Sequence, residues 1–416
     1  MTDLRALDDL VPDWSRDIVE TSQSLFRQGV TGLLAGPENS LVVIRNTDVK
    51  ALAANPHVGN IPAEFLLYFA TEPGRSGMEP NPEEVEGFGR FLRNQVFTSN
   101  PPLHTYSRRI VARQLMPRQI GRFTPIAERL VRELVDESAE HDEIEFSREF
   151  ASRFVTRFWS ELLGLTRDQA TQLEWLMEEM SLSFPFTRTP EQSRRLYSAA
   201  AIYMDMVGEA VRQARSAGDN ELLAEMANEL DEVDIEGKPE DIGALVAANF
   251  FDGFHTIGVG ITNVMYRMLI DQSACARVQS NRALVTNTFL EGTRLEPPLM
   301  LSHRIALQDL EYDGVFIPLG TPIGMAWAAA NRDPLVFDDA DSYRLNRQIR
   351  GATFGGGVHL CPGRNVVQML TVTAVTALTS PDVDITLAGR THEWIPHTSM
   401  RQLAALPVSI RRKNRT

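Results

Sequence analysis

Residues 240–270 read as one long helix that starts after Pro239, near Asp241, and is apolar nearly all round, through Leu245, Val246, Ala247, Ala248, Phe250 and Phe251. A helix without a polar face has to be buried, so the rest of the chain must fold around it. Four polar side chains interrupt it: Asn249, Asp252, His255 and Thr256. Burying a polar group without a partner is costly, so each of these needs a reason to be there. Spacings of three and four put Asn249, Asp252 and Thr256 on one face, with His255 beside Asp252. Gly253 thins the helix at that level, at a local cost of about 1 kcal/mol.

The second constraint is the stretch Phe354-Gly355-Gly356-Gly357-Val358-His359-Leu360-Cys361-Pro362-Gly363-Arg364. The glycines let the backbone turn tightly and come close to a flat or bulky partner. Pro362 suits the first position of a helix, which would set Cys361 at a helix start, where the dipole and free N–H groups favour a thiolate. A thiolate held in this way is either a nucleophile or a metal ligand.

This stretch resembles the cysteine-ligand loop of the cytochrome P450 family, Phe-x-x-Gly-x-x-x-Cys-x-Gly, with Phe354, Gly357, Cys361 and Gly363 filling every fixed position. The resemblance implies haem b as cofactor, with the Cys361 thiolate as axial ligand of the iron. It also implies one domain over residues 1–416 with the mainly α fold of that family, a triangular prism of helices with a small β region. His104 and Arg108 are four apart on one helix face, and two donors placed in this way suit a carboxylate. The family's His-x-x-x-Arg element makes them ligands of a haem propionate, and Arg304 and His359 match two further propionate positions. Glu291-Gly292-Thr293-Arg294 matches the family's Glu-x-x-Arg, so Glu291 and Arg294 should support the haem-binding core structurally, as Phe354 should support the loop. The cavity should be lined by Phe250, Phe251, Phe254, Leu299 and Met300, with Asn249 as a polar anchor, and a turn at 395–400 that includes His397 should close its far side.

Asp252-Gly253-Phe254-His255-Thr256 resembles the family's oxygen-activation motif, Ala/Gly-Gly-x-Asp/Glu-Thr, with two departures: His255 stands where the acid belongs, and Asp252 where the small residue belongs. Three readings are open for Asp252, His255 and Thr256. They form a proton relay, histidine being able to titrate near neutral pH. Alternatively, Asp252 and His255 satisfy each other structurally, or one of them binds a polar group of the substrate. The departure also leaves room for peroxide-driven or other atypical chemistry.

The net charge of −14 argues against nucleic acid as a partner. With Cys361 a ligand, Cys275 has no partner for a disulfide within the chain, which fits a reducing compartment. The N-terminus shows no apolar signal region, and no run approaches the ~18 apolar residues of a membrane span. The expectation is a cytoplasmic monooxygenase without a membrane anchor, acting on a small hydrophobic terpenoid, steroid or other natural-product scaffold. Arg108, Arg109, Arg113, Arg347, Arg350 and Arg364 should gather on the cysteine side and dock a ferredoxin-type electron donor. From a different class, the chain could be a haem-binding sensor without turnover. Elsewhere, helices are predicted over 13–29, 128–136, 146–163, 167–180 and 191–217. A buried strand is predicted at Leu41-Val42-Val43-Ile44, and a loop with helical pieces over 62–100, which contains Gly74, Gly77 and Pro80. An apolar Met and Phe segment from Met177 to Phe186, broken by Pro185, reads as core with some contact to the cavity, and the acidic stretch 229–240 as an exposed connection.

Overall fold

The computed structural model describes residues 4–11, 14, 16–30, 32–71, 82–184, 188–218, 220–348, 351–389 and 392–413. Gly74, Gly77, Pro80, Pro185, Phe186 and Arg350 therefore lie outside the described residues. The central helix runs from Ile242 to Ile270. Asp241 caps it, accepting a hydrogen bond from the Ala244 amide at 2.8 Å, and so satisfies one of the amides that a helix start leaves free. Among the described residues this is the one helix long and apolar enough to cross a membrane, yet 72% of its apolar window is buried within the protein. Its apolarity therefore serves a core, as the absence of a polar face requires.

Other helices wrap it on several sides. Pro190–Ala217 crosses it and also packs on Pro82–Arg93, while Val285–Leu295 and Arg364–Leu378 pack on its C-terminal half. At one crossing the backbones touch: a Cβ on Gly243 would sit 2.5 Å from the Gly208 carbonyl oxygen. Capping boxes at Thr166/Gln169 and Thr189/Gln192 start the helices Arg167–Met180 and Pro190–Ala217. The predicted helix over 13–29 is shorter, Ile18–Arg27, because Asp17 caps it from outside. Residues 146–163 form a π-helical turn, Phe146–Ser152, followed by an α-helix, Arg153–Leu163. The acidic stretch is not all connection. Glu221–Asp231 is a helix with Leu222, Leu223, Met226 and Leu230 buried, a stripe at helical spacing that the surrounding acids obscure in the sequence.

The β region lies beside this helical body. Its main sheet orders Leu33–Ala35, Leu41–Val43, Pro322–Ala326, Leu301–Ala306 and Val58–Gly59. Only Leu41–Val43 with Pro322–Ala326 is parallel. Register sets Arg304 opposite Ile323. A second sheet joins Ile144–Glu145, Pro407–Arg412 and Val383–Leu387. The architecture is thus mainly α with a small β region.

Glu291 and Arg294 are both fully buried and pair through two bonds of 2.8 Å. Arg294 also donates to the carbonyls of Asn331 at 2.8 Å, Ala340 at 2.6 Å and Ser342 at 3.2 Å. Glu291 accepts from the Arg344 amide at 3.0 Å and from Arg347 Nε at 3.1 Å. Arg347, expected in a docking patch, is consumed in this network with a side chain only 9% exposed. Removing one member of such a pair leaves an uncompensated buried charge. Arg294→Leu should therefore cost about 3–5 kcal/mol or prevent folding. Arg129→Leu, which removes an exposed pair with Glu133 and Glu161, should cost under about 1 kcal/mol. Urea denaturation of the two variants checks the contrast.

Candidate functional site

The cysteine loop closes on itself through the Cys361 amide, which donates to the Phe354 carbonyl at 2.8 Å, and the Gly355 amide, which donates to Ala352 at 2.9 Å. Phe354 packs toward Phe289, with ring centroids 6.1 Å apart. Gly357 has φ of +59°, and a Cβ there would collide with the Ala53 carbonyl oxygen, so the loop presses against backbone where no side chain fits. The helix that follows begins at Arg364, with Gly363 as its cap. Pro362 thus lies in the turn before the helix and not at its first position. The Gly363 amide still donates to the Cys361 sulfur, and Arg108 and Arg364 favour the thiolate, but burial outweighs them and pushes the thiol up. This corrects the expectation of a thiolate stabilised by the helix start alone. A thiol raised by burial is a poor nucleophile at neutral pH, whereas a metal cation ionises a coordinating thiol outright. The ligand reading is the one that fits.

Around the cysteine lies a group of basic side chains. His104 is 2% exposed, and its Nε2 faces His359 Nδ1 at 3.1 Å. Arg108 donates to the Leu360 carbonyl, and Arg304 to the His303 carbonyl at 2.9 Å. Burial, followed by the charges of Arg108 and Arg304, lowers His104 to about 4. Burial, followed by Arg304, His104 and Arg108, lowers His359 to about 3. Burial alone brings Arg304 down to about 10. Among the described residues no carboxylate acts on any of these four groups. With both histidines neutral at neutral pH, Arg108 and Arg304 are the cations here, and apart from the Cys361 sulfur, which raises Arg108, no anion among the described residues acts on them. Buried cations are normally paired, so the site suits an anion from outside the chain. A macrocycle carrying two carboxylates and a metal above a cysteine meets both demands, and the donor set fits haem.

On the central helix, Thr256 donates its hydroxyl to the Asp252 carbonyl of its own helix, the local bond that threonine commonly makes. Burial pushes the half-buried Asp252 carboxyl up to about 7. The Asp252 charge is among the causes that raise the cysteine, so the two groups lie within electrostatic reach. His255 does not pair with Asp252. It is lowered to about 4 by burial foremost, with His397 adding to that and the Gln402 side chain acting the other way.

Several expected lining residues lie elsewhere. Phe250 and Phe254 are each 2% exposed and pack on Trp159, with centroids at 4.8 and 6.1 Å. They lie nearly opposite Asp252 around the helix, as 3.6 residues per turn requires. Asn249 is no free anchor: its amide donates to the carbonyls of Asn94 and Leu245, both at 2.8 Å, and its oxygen accepts from the Val96 amide at 2.7 Å. Met300 is 2% exposed and belongs to the cluster with Leu7, Ile18 and Ala328, while Leu299 is half-buried and bridges to Met400. Of the arginines expected to dock a donor, Arg109 and Arg113 are exposed on the helix Leu103–Gln114, although Arg113 pairs with Glu229 at 2.8 Å. Sequence reasoning missed Gln402 and Trp159, whose Nε1 donates to the Gly253 carbonyl at 3.2 Å. Only contacts distant in sequence mark these two, and no local pattern signals them.

The family model for cytochrome P450 matches residues 74–378. The chain is 26% identical over 337 residues to 6-deoxyerythronolide B hydroxylase of Saccharopolyspora erythraea, covering 79% of this chain and 80% of that protein. It is 24% identical over 325 residues to the polyketide biosynthesis cytochrome P450 PksS of Bacillus subtilis, covering 77% of this chain and 78% of the relative. The crystal structure of CalO2 superimposes with a TM-score of 0.83 at 22% identity, over 98% of this chain and 99% of that one.

Two outcomes follow from this geometry. The lowered histidines bind fewer protons folded than unfolded below the ordinary value of 6.5, so their contribution to stability is lost as pH falls from about 6.5 toward 4. An anion bound beside them, as the propionate positions implied by the resemblance would supply, would oppose the lowering. Urea melts should therefore show the haem-free protein losing stability over that window more steeply than the haem-loaded one. Gly357→Ala should displace the loop from Ala53 and lower the haem-to-protein ratio measured by absorbance.

Proposed function

The chain belongs to the cytochrome P450 family, and from that membership we propose that residues 1–416 act as one haem-thiolate domain that inserts one atom of O2 into a hydrophobic natural-product scaffold, polyketides being the first class to test. The substrate class rests on relatives named for 6-deoxyerythronolide B hydroxylation and polyketide biosynthesis. The observation that carries the cofactor's place is the half-buried cysteine near Arg108 and Arg304, two arginines on which no carboxylate among the described residues acts.

Cys361 would hold the haem iron, and His104, Arg108, Arg304 and His359 its propionates. The bound cofactor supplies the activation of oxygen. This chain's residues do the rest. Asp252 keeps a proton on its carboxyl up to about pH 7, which is the condition for a general acid at neutral pH. Thr256, one turn further on, carries a hydroxyl that can leave its bond to the Asp252 carbonyl and pass a proton along the same face. His255 stands outside this path, because Gln402 engages it. Electrons come from a separate donor. The exposed Arg109 and Arg113, on a chain of net charge −14, offer a local basic face for an acidic ferredoxin.

The test is the fraction of reducing equivalents recovered as product with a ferredoxin and its reductase, using a scaffold that gives a saturable haem spin-state shift. Thr256→Ala and Asp252→Asn should each lower that fraction by roughly tenfold or more, and His255→Leu should leave it within about twofold. If hydrogen peroxide alone supports turnover at the same rate and neither substitution matters, the enzyme is peroxide-driven and the relay is wrong.

A further inference from the structure

One side chain grips the outer face of the central helix at the level of Asp252. Trp159, on the helix Arg153–Leu163, is 2% exposed. Its ring meets Phe250 edge-on, with centroids 4.8 Å apart and planes at 86°, and lies tilted to Phe254 at 6.1 Å and 51°. Its Nε1 donates to the Gly253 carbonyl at 3.2 Å. A Cβ on Gly253 would lie 3.2 Å from Trp159 Cζ2 and 3.4 Å from Nε1 and Cε2, too close for ordinary packing. The missing side chain is therefore what lets the indole reach the backbone. The glycine that weakens the helix at this point also admits a bond to its carbonyl.

Trp159 is itself firmly held. Two positions before it, Arg157 donates to Glu137 through two bonds of 2.8 and 2.9 Å, which tie its helix to the helix Thr124–Ala139. The Phe158 ring meets the indole at 5.3 Å and 70°. The same stretch of chain touches the central helix a second time, at the end of the π-helical turn. There a Cβ on Gly258 would lie 3.2 Å from the Ser152 hydroxyl and 3.4 Å from its Cα. Contact at two levels with one segment leaves the central helix little freedom to turn about its axis.

That rotation decides where the opposite face points. At 3.6 residues per turn, Asp252 and Thr256 stand about 100° and about 60° round from Gly253, on the side away from Phe250 and Phe254. Thr256 donates to the Asp252 carbonyl, and Trp159 donates to the next carbonyl, Gly253. Two consecutive carbonyls of one turn thus each receive a side-chain donor, from different sides of the helix. Donors of this kind inserted along the ladder bend a helix locally. A leucine or phenylalanine at position 159 would fill the space between Phe250 and Phe254 without adding a donor.

We propose that Trp159 is a positioning residue for proton delivery. By holding the Gly253 carbonyl it fixes the rotation of the turn that carries Asp252 and Thr256, and with it the direction of both side chains. This rests on the relay assigned to those two residues above and adds what keeps it in line.

The experiment measures, in the holoenzyme, the fraction of reducing equivalents recovered as product, alongside the scaffold concentration that gives half of the haem spin-state shift. Trp159→Phe keeps a ring against Phe250 and Phe254 but has no N–H. It should lower the fraction by about threefold to tenfold, the scale of one lost hydrogen bond, while the half-shift concentration stays within about twofold. Gly253→Ala, whose Cβ meets the indole, should act in the same way from the helix side. In a Thr256→Ala background neither substitution should lower the fraction further, because the hydroxyl they position is gone. A fraction unchanged in both variants, with only stability to urea reduced, would make the indole a packing group and overturn the proposal. So would the same fold loss in the Thr256→Ala background. The thiolate-ligated ferrous carbonyl spectrum, recorded first, shows that each variant is loaded, and Gly253→Ala decides the matter where Trp159→Phe does not fold. If Thr256→Ala and Asp252→Asn themselves leave the fraction unchanged, the relay fails and the positioning role with it. If they lower it and the Trp159 and Gly253 variants do not, only the positioning role fails.

Discussion

The buried pair of Glu291 and Arg294 governs the shape of the cysteine side. Arg294 fixes the carbonyl of Asn331, and the Asn331 side chain in turn accepts from the Ala352 amide at 2.6 Å and donates to the Thr353 hydroxyl at 2.8 Å. That hydroxyl donates back to the Thr293 carbonyl at 3.1 Å, next to where the chain of bonds began. Phe354 and the loop to Cys361 follow directly. The bonds form a closed circuit from one helix, through an irregular segment, into the base of the cysteine loop, without regular secondary structure to hold that segment. Charge-assisted bonds in a dry interior are strong and directional. They do here what a sheet ladder does elsewhere.

The opposite condition holds on the other face of the loop. His104, Arg108, Arg304 and His359 are brought together, and among the described residues no carboxylate acts on them. The same low dielectric that strengthens the Glu291–Arg294 pair makes these groups costly. The protein thus keeps one satisfied charge network for its own shape and one unsatisfied network for a guest. Binding that relieves such a cost stabilises the folded state by mass action, so the cofactor also belongs to the stability of this half of the molecule.

Much of this was legible in the sequence where a local pattern has one physical meaning. The apolar stretch at 240–270 had to be a buried helix, and it is. The glycine-rich loop turns tightly against Ala53, and His104 and His359 meet beside Arg108, which bonds the loop at Leu360. The failures share a cause. Phe250 and Phe254 neighbour Asp252 in sequence, but helical rotation turns them to Trp159. Asn249 is polar within an apolar helix, which by itself suggests an anchor. Its partners, Asn94 and Val96, lie some 150 positions away, at separations of 155 and 153, and no local rule reaches so far. The pairing of His255 with Gln402 was hidden for the same reason, and Pro362 failed because the turn needed two more residues before the helix began.

The anchoring of the terminal segment has a consequence for how such a protein can diversify. Arg401 ties the stretch 395–402 to Glu296, Asp17 and Trp394. The His397 ring holds the Ser399 and Met400 amides, and the Gln402 carbonyl holds the Ile395 amide. The bonds that keep the segment in place thus come from the Arg401 and His397 side chains and from the Gln402 backbone. The Gln402 side chain can be exchanged with little risk to the fold, so one position of a firmly held segment is open to change while its framework stays.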